Sequence, residues 1–290
     1  MRLLRFEDGV APRLGVLLGD QIVALDVLKS DYPTMQSIVA GGAEALRRIE
    51  QHIASAKPAL ALADARLLAP LERPGKYLAI GMNYRKHLEE SAAIGQTKPA
   101  DKQLWFNKQT SCVSGPYDAI DPGVTEQLDY EVELGVVIGA PAKYATEATA
   151  KDHVFGYFVA NDVSARDWQF HTSTFTIGKS FDTHGPIGPW IVTADEIADP
   201  HNLDLRCLVN GERRQQSNTR EMIHNIWQQI AYLSTAFTLD SGDLIATGTP
   251  EGVGVALNPP RFLKPGDVVR CEIDGVGVIE NTVVPPRLPK

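Results

Sequence analysis

Short apolar runs separated by turn residues make up most of the chain from residue 76 onward. In several of them apolar and polar residues alternate, which is the period of a strand whose two faces differ. Asp274-Gly275, between two such runs, is a strong signal for a tight turn. The pattern predicts strands at KYLAIG, YEVELGVVIG, VFGYFVANDVS, PWIVTADEI, LDLRCLVNGE, DLIATGT and VVRCEIDGVGVIENTV.

Residues 1–72 follow a different pattern, and we predict that they form a small α+β domain. Short strands are expected near LLRF and LGVLLGDQIVAL, and a helix over TMQSIVAGGAEALRRIEQHIASA, whose apolar residues recur at helical spacing. Gly41 and Gly42 weaken this helix. Pro70 and Pro74 then mark a hinge into a main domain over residues 73–290.

A second helix is predicted over REMIHNIWQQIAYLSTAFTL, with Thr219 as its N-cap. Its buried face is expected to carry Ile223, Ile226, Ile230 and Leu233. So few helices among so many strands exclude a doubly wound parallel sheet, and the fold class expected is β-rich α+β.

Composition and charge narrow the class of partner. The 290 residues are 43% hydrophobic and 22% charged, as in a globular protein, and the net charge is −8. No run rich in lysine or arginine offsets the acids, so we expect no nucleic acid partner. A small anionic molecule responds to local charge and remains compatible with this total.

The start of the chain and its cysteines bear on location. MRLLRFEDG lacks an apolar core of signal-peptide length, and charges interrupt every apolar run short of a membrane span. Cys112, Cys207 and Cys271 are far apart and lack metal-type spacing. We therefore expect a cytoplasmic protein with reduced thiols and no membrane segment.

The segment LDYEVELGVVIG, residues 128–139, carries acids at every second position. In a strand, Asp129, Glu131 and Glu133 share one face. One interpretation is a solvated acidic face. The other is a carboxylate pair at the edge of a core, because the following GVVI is apolar on both faces; such a pair needs a cation, either a lysine or a metal.

His87 and Glu90 lie three residues apart in RKHLEES, the spacing that puts two side chains on one helical face. A carboxylate beside an imidazole fixes its tautomer and raises its basicity, which suits a general base. The alternative is an incidental exposed ion pair. The small, polar residues 91–103 that follow are typical of a mobile lid.

Asp162 follows an apolar strand, and with Glu131 and Glu133 it forms a set of hard oxygen ligands that selects Mg²⁺ or Mn²⁺ over zinc. Arg166 is placed to bridge these acids or to bind a substrate carboxylate. The alternative is that Asp162 and Asp167 only cap turns.

Two further segments carry candidate chemistry. Lys179 lies between glycine and serine, where it suits an enolate or a carboxylate, and Asp182 is a candidate partner for it. The loop ATGTPEGVG lacks the features of a nucleotide-binding loop, but its amides, with Thr247 or Thr249, suit a carboxylate.

Five motifs in this order resemble the fumarylacetoacetate hydrolase superfamily over residues 76–284, and the resemblance is nearest to its branch acting on acylpyruvates and related 2,4-diketo acids. The motifs are GMNYRKHLEE, LDYEVELGVVIG, ANDVSARDWQ, GKSFDTHGPIGPW and ATGTPEGVG.

The resemblance implies a mixed β-sheet roll, a homodimer and one Mg²⁺ or Mn²⁺ ion. The site residues that it implies are the metal ligands Glu131, Glu133 and Asp162, the catalytic residues His87, Glu90 and Lys179, and the substrate contacts Arg166, Gln169, Lys179 and Thr249. Where members differ, in the lid and the N-terminal domain, substrate choice is set.

The leading functional expectation is hydrolysis of the C3–C4 bond of a 2,4-diketo acid, which releases pyruvate and a carboxylic acid. His87 would activate water, and Lys179 would stabilise the enolate that leaves. The alternatives on the same site are oxaloacetate decarboxylation or tautomerisation and hydration of 2-oxo-dienoates. A non-catalytic keto-acid sensor is disfavoured by the presence of the His87–Glu90 pair.

Overall fold

Strands dominate the computed structural model, which describes residues 1–9, 11–97 and 101–287. The α-helices are α1 (Met35–Ile53), α2 (Arg85–Ala93), α3 (Arg166–Gln169) and α4 (Ile226–Ala236). The strands are β1 (Arg2–Glu7), β2 (Pro12–Leu18), β3 (Gln21–Ala24), β4 (Leu60–Ala61), β5 (Arg66–Leu68), β6 (Tyr77–Gly81), β7 (Leu104–Lys108), β8 (Val113–Ser114), β9 (Leu128–Asp129), β10 (Val132–Ile138), β11 (Val154–Asn161), β12 (Ser164–Ala165), β13 (Gly185–Thr193), β14 (Asp204–Val209), β15 (Glu212–Asn218), β16 (Leu244–Ala246), β17 (Val268–Ile273) and β18 (Gly277–Thr282).

Two main sheets contain most of these strands, and β9 and β12 form a separate two-stranded sheet. The larger has the order β4-β3-β2-β1-β13-β11-β10-β16-β6-β7, with β5 added beside β1 and β8 beside β13. It is mixed, because β16 runs parallel to β6 while β10 and β11 are antiparallel. The smaller sheet, β15-β14-β17-β18, is antiparallel throughout. The prediction of a β-rich α+β fold with mixed sheets is confirmed.

Strand β10 lies in the middle of the larger sheet and is buried along its whole length. Val132, Leu134 and Val136 pack into one core with residues of the smaller sheet and of α4. Val137 packs into the core on the opposite face, together with residues of α1. Burial on both faces explains why the run GVVI is apolar without alternation.

Gly135 leaves room for a neighbouring ring. A Cβ at this position would lie 2.3 Å from the side chain of Phe158 on the paired strand. Phe158 itself is fully buried, so the ring has no space into which to retreat. Glycine at this point therefore lets β10 and β11 pair beneath an aromatic side chain.

The N-terminal unit extends the larger sheet. β1 pairs with β13, with Leu3 opposite Ile191, and the core around α1 also includes Tyr77 and Ile187 of the main unit. The sheet and one core are thus continuous across the predicted division between residues 72 and 73, and that division stays a prediction. Within α1, Gly42 adopts a φ of 52° and kinks the helix, as its sequence suggested.

Helix α4 begins later than predicted. Asn225 is its N-cap, and Asn225 and Gln228 form a reciprocal capping box that starts the helix at Ile226. Thr219 instead opens a short 3₁₀ turn capped by Asn218. Residues 220–225 do not join the helix, because the backbone amide of Ile223 donates to the carbonyl of Asn83.

Several strands were not predicted, among them the very short β4, β5 and β8 and the longer β7 and β15. β7 is still short, and β15 has the sequence ERRQQSN, which shows no apolar alternation because it is the edge strand of the smaller sheet. The predicted helix near His87 is present as α2. Of the predicted lid over residues 91–103, residues 98–100 lie outside the described residues.

Among the described helices, α1 is the longest, and neither it nor any other has the length and apolar character that crossing a bilayer requires. Cys112, Cys207 and Cys271 are buried free thiols, in agreement with the expectation from their spacing. The cytoplasmic location stays a prediction.

The continuous sheet predicts that the chain unfolds in one transition. Leu3→Ala removes a side chain that is 0% exposed, and we expect it to cost about 2–5 kcal/mol of unfolding free energy and to lower the melting temperature of the whole chain. Leu18→Ala is the matched control, since Leu18 is 42% exposed; it should cost no more than about 1 kcal/mol. Scanning calorimetry that resolved two transitions, with only one shifted by Leu3→Ala, would contradict this coupling.

Candidate active site

Three acidic residues meet at the adjoining ends of two strands. Glu131 precedes β10, Glu133 is its second residue, and Asp162 directly follows β11. Because β10 and β11 pair with Val132 opposite Asn161, these ends are adjacent, and the amide of Asp162 donates to the carbonyl of Glu131 at 2.9 Å. One ligand atom from each acid lies within 4.8 Å of the others. All three side chains are buried, so the interpretation as a solvated acidic face is wrong.

Asp129 does not join this group, although the alternation placed it on the same face. Its strand, β9, pairs with β12 rather than with β11. The carboxylate accepts hydrogen bonds from Arg166 Nε at 2.8 Å and from the amides of Gly254 and Val255 at 2.7 and 3.0 Å. Asp129 therefore anchors Arg166 and the glycine-rich loop.

Cations are interleaved with the acid triad Glu131, Glu133 and Asp162. Lys179 Nζ lies 2.7 Å from Glu131 Oε2 and 2.8 Å from Asp162 Oδ2. The prediction that Lys179 pairs with Asp182 is therefore wrong. Arg166 contacts Glu131 Oε1 at 2.7 Å through a terminal nitrogen. Arg166 thus bridges two acids, one of the two roles considered for it from the sequence.

Lys108, at the end of β7, also belongs to the site and was missed by the sequence reasoning. Its fully buried ammonium lies 2.5 Å from Asp162 Oδ1. Burial lowers the pKa of this ammonium, but Asp162, Cys112 and Glu131 together outweigh that effect, and the net shift of the pKa is upward. The only signal in the sequence was a lysine closing the run LWFNK, which was not recognised as a strand.

The charges of this cluster do not balance. The carboxylates are Asp129, Glu131, Glu133 and Asp162, and their cationic partners are Lys108, Arg166 and Lys179. Within the described residues no lysine or arginine pairs with Glu133, which accepts a hydrogen bond from the amide of Gly248 at 2.7 Å.

The pKa directions follow this imbalance. Burial by itself would raise the pKa of Glu131, but Lys179 and Arg166 lower it to about 2. Burial raises the pKa of Glu133 well above its usual value, and the carboxylates of Asp162 and Glu131 raise it further. Three buried carboxylates with a surplus negative charge are a donor set that fits one hard divalent ion such as Mg²⁺ or Mn²⁺.

The His87–Glu90 pair lies on α2. His87 Nδ1 is 3.0 Å from Glu90 Oε2, and Glu90 Oε1 accepts a hydrogen bond from the amide of Gly252 at 2.9 Å. Glu89 lies on another face of the same helix and is exposed. When Nδ1–H donates the hydrogen bond to this carboxylate, Nε2 carries the lone pair, which is the form of a general base.

Most of these groups line one cavity, although Glu90, Lys108 and Asp162 are not among its lining residues. Its polar lining residues are His87, Ser91, Gln96, Glu131, Glu133, Arg166, Gln169, Lys179 and Thr249. Its apolar lining comes from Ile80, Met82, Ile94, Leu104, Phe106, Phe170, Phe175, Val253 and Val255. A small anionic molecule with an apolar portion matches such a lining.

Thr249 and Gln169 are held in place by neighbouring groups. The Thr249 hydroxyl donates to the carbonyl of Val132 at 2.9 Å and accepts from Gln215 Nε2 at 2.8 Å. The Gln169 side-chain oxygen accepts from Arg166 at 2.8 Å. Their contacts with a substrate stay predictions.

Gln215 and Asn83 also organise the site and were not found from the sequence. Gln215 Oε1 accepts from the amide of Val132 at 3.0 Å, which ties the start of β10 to the glycine-rich loop. Asn83 Nδ2 donates to the carbonyl of Thr247 at 2.8 Å and to that of His224 at 3.0 Å. Each amide closes a junction between segments that are distant in sequence, so local patterns carry no sign of it.

Comparison with known proteins agrees with this geometry. The family model described as fumarylacetoacetate (FAA) hydrolase C-terminal matches residues 76–284. A mitochondrial oxaloacetate tautomerase of Xenopus laevis is 44% identical over 293 aligned residues, which cover 98% of this chain and 90% of that protein.

Solved structures share the fold along the whole chain. A fumarylacetoacetate hydrolase of Exiguobacterium antarcticum has a TM-score of 0.86 and 35% identity, covering 98% of this chain and 99% of that one. Maleylpyruvate hydrolase of Sphingobium sp. SYK-6, solved with manganese(II) and pyruvate, has a TM-score of 0.83 and 34% identity, covering 99% and 100%. The resemblance seen in the motifs is confirmed, and the chain belongs to the fumarylacetoacetate hydrolase family.

Proposed function

We propose that the protein is a Mg²⁺- or Mn²⁺-dependent oxaloacetate tautomerase. The observation that carries the proposal is one cavity lined by His87, Glu131, Glu133 and Lys179, with Glu90 bonded to His87 and Asp162 completing the acid triad beside Lys179. The similarity to a tautomerase over nearly the whole chain supports this choice of reaction. From the sequence alone, hydrolysis of a 2,4-diketo acid was the leading expectation and tautomerisation was one of the alternatives; the proposal reverses this order.

Tautomerisation moves a proton between C3 and the oxygen on C2 of a 2-oxo acid. The bound ion, held by Glu131, Glu133 and Asp162, would supply Lewis acidity at the 2-oxo group. His87 Nε2 removes the proton from C3, while Glu90 holds the ring and stabilises the imidazolium that forms. The imidazolium then gives this proton to the C2 oxygen, which completes the enol and returns His87 to its neutral form. Lys179 offsets the negative charge that develops on the C2 oxygen.

Hydrolysis of an acylpyruvate is the second candidate, and the similarity to maleylpyruvate hydrolase favours it. In this reaction His87 would take a proton from water, and the resulting hydroxide would add to the C4 carbonyl. Breaking the C3–C4 bond then releases a carboxylic acid and the enolate of pyruvate, which is protonated at C3. Both reactions develop enolate charge in the same place, so the cluster of Lys179 and the acid triad serves either.

We also propose a homodimer and a cytoplasmic location, as expected from the family resemblance and the composition. The Xenopus laevis relative is named as mitochondrial. Size-exclusion chromatography with light scattering measures the first property, and fractionation of the source cells measures the second.

The choice between the two reactions predicts a substrate profile. With Mg²⁺ present, the protein should accelerate the loss of enol-oxaloacetate absorbance without matching pyruvate release. Acetylpyruvate and maleylpyruvate are the comparison substrates, assayed for pyruvate and for the carboxylic acid. Stoichiometric release of both from an acylpyruvate, with no effect on oxaloacetate, would replace the tautomerase by the hydrolase.

The His87–Glu90 pair predicts a separation of turnover from binding. His87→Ala should lower kcat by about 10²–10⁴-fold, because the general base is lost, while pyruvate and Mn²⁺ binding by calorimetry stay intact. Glu90→Gln should lower kcat by a smaller factor. Glu89→Gln, next to it on the exposed face, is the control and should leave kcat unchanged. Undiminished turnover in His87→Ala would remove the pair from the mechanism.

The acid triad predicts metal dependence. EDTA should abolish activity and Mg²⁺ or Mn²⁺ should restore it. Glu131→Gln removes one anionic ligand and should weaken Mn²⁺ binding by at least about tenfold, measured by electron paramagnetic resonance of free Mn²⁺. Glu126→Gln alters an exposed acid of the same segment and is the control. Full metal content and activity in Glu131→Gln would exclude this carboxylate as a ligand.

A further inference from the structure

In each carboxylate of the acid triad, one oxygen contacts a group other than Lys179. Lys108 contacts Asp162 Oδ1, Arg166 contacts Glu131 Oε1, and the amide of Gly248 donates to Glu133 Oε2. We propose that Lys108 is a positioning residue that leaves Asp162 one oxygen for a metal ion and so makes the site select Mg²⁺ or Mn²⁺ over Ca²⁺. The inference rests on the metal site of the proposed function.

Lys108 is fixed from several directions. It closes β7 opposite Tyr77 of β6, and its side chain is 0% exposed. Besides Asp162, its ammonium donates to the backbone carbonyl of Lys179. It therefore holds the segment that carries Lys179 as well as one oxygen of Asp162.

Lys108 acts from behind the cavity. It is not among the residues that line the cavity, whereas Lys179 is. Lys179 contacts Glu131 Oε2 and Asp162 Oδ2, which are the oxygens that Arg166 and Lys108 leave free. Glu131 Oε2 and Asp162 Oδ2 thus both face Lys179 at the cavity wall. The other oxygen of each acid contacts Arg166 or Lys108 instead.

A site in which each acid offers an ion a single oxygen distinguishes between divalent ions, and in Glu131 and Asp162 that oxygen is the one that faces Lys179. Mg²⁺ and Mn²⁺ suit octahedral sites of few ligands completed by water, whereas Ca²⁺ takes six to eight oxygens and often binds a carboxylate through both. Loss of Lys108 leaves Oδ1 of Asp162 without this contact and allows the carboxylate to rotate. The site then has one more oxygen available and a less rigid geometry, and both changes favour Ca²⁺ relative to the smaller ions.

The ratio of the Ca²⁺ to the Mn²⁺ dissociation constant separates the effect of ligand arrangement from the effect of net charge. Removing the Lys108 ammonium makes the cluster more negative, which strengthens the attraction of every divalent ion by a similar factor. That factor cancels when the dissociation constant for Ca²⁺ is divided by that for Mn²⁺. A change in the ratio therefore reports the arrangement of the ligands.

The experiment measures Mn²⁺ binding to the metal-stripped full-length protein by electron paramagnetic resonance, and Ca²⁺ binding by competition. In Lys108→Met we expect the ratio of the Ca²⁺ to the Mn²⁺ dissociation constant to fall by at least about tenfold. Lys108→Arg, which keeps a cationic donor, should retain the wild-type ratio. Lys76→Met is the matched control, because Lys76 pairs with Asp240 and Asp243 and does not line the cavity.

Each outcome has a distinct meaning. A fall of the ratio in Lys108→Met but not in Lys76→Met supports the inference. An unchanged ratio in Lys108→Met, with both affinities shifted together, overturns it while the proposed metal site stands. A wild-type protein that binds neither ion overturns the metal site and the inference together. If circular dichroism shows that Lys108→Met is misfolded, the same measurement on Lys108→Leu decides.

Discussion

Compensation of buried carboxylates by cations is the constraint on which the rest of this structure depends. An unpaired carboxylate in an apolar interior is costly, and pairing with well-placed ammonium or guanidinium groups makes its burial possible. Here Asp129, Glu131 and Asp162 each have such a partner, whereas Glu133 has a backbone amide and no cationic partner among the described residues. The surplus charge lies at a cavity wall, where a divalent ion would neutralise it.

The fold serves this constraint by bringing distant segments to one point. The acids come from the adjoining ends of β10 and β11, Lys108 from the edge strand β7, and Gln215 from the smaller sheet. Buried polar groups fasten the junctions between these pieces, as Asn83 does between the start of α2 and the glycine-rich loop. The rigid core beneath β10 then holds the site to one geometry, since close-packed interiors resist small displacements.

The same arrangement suits several reactions of one chemical class. Tautomerisation, decarboxylation and C–C hydrolysis of 2-oxo acids all develop negative charge on the C2 oxygen. In the proposed mechanism Lys179 and the ion that the acid triad would hold offset that charge, so they do not distinguish the reactions. What differs is the proton that His87 moves, taken from C3 in one case and from water in another. The choice among these reactions therefore depends on features outside Lys179 and the acid triad.

By itself the sequence determined the fold class, the family, and the proximity of His87 to Glu90, because alternation, helical spacing and ordered motifs are local properties. It also placed Glu131, Glu133 and Asp162 in one set, since strand ends that pair must meet. Only the tertiary structure decided that Asp129 turns to Arg166, that Lys179 pairs with the acid triad instead of Asp182, and that Lys108 belongs to the site. These contacts join residues up to 54 positions apart on strands whose order in the sheet is not written in any local pattern. They are selected by the cost of burying charge, which acts only once the chain has packed.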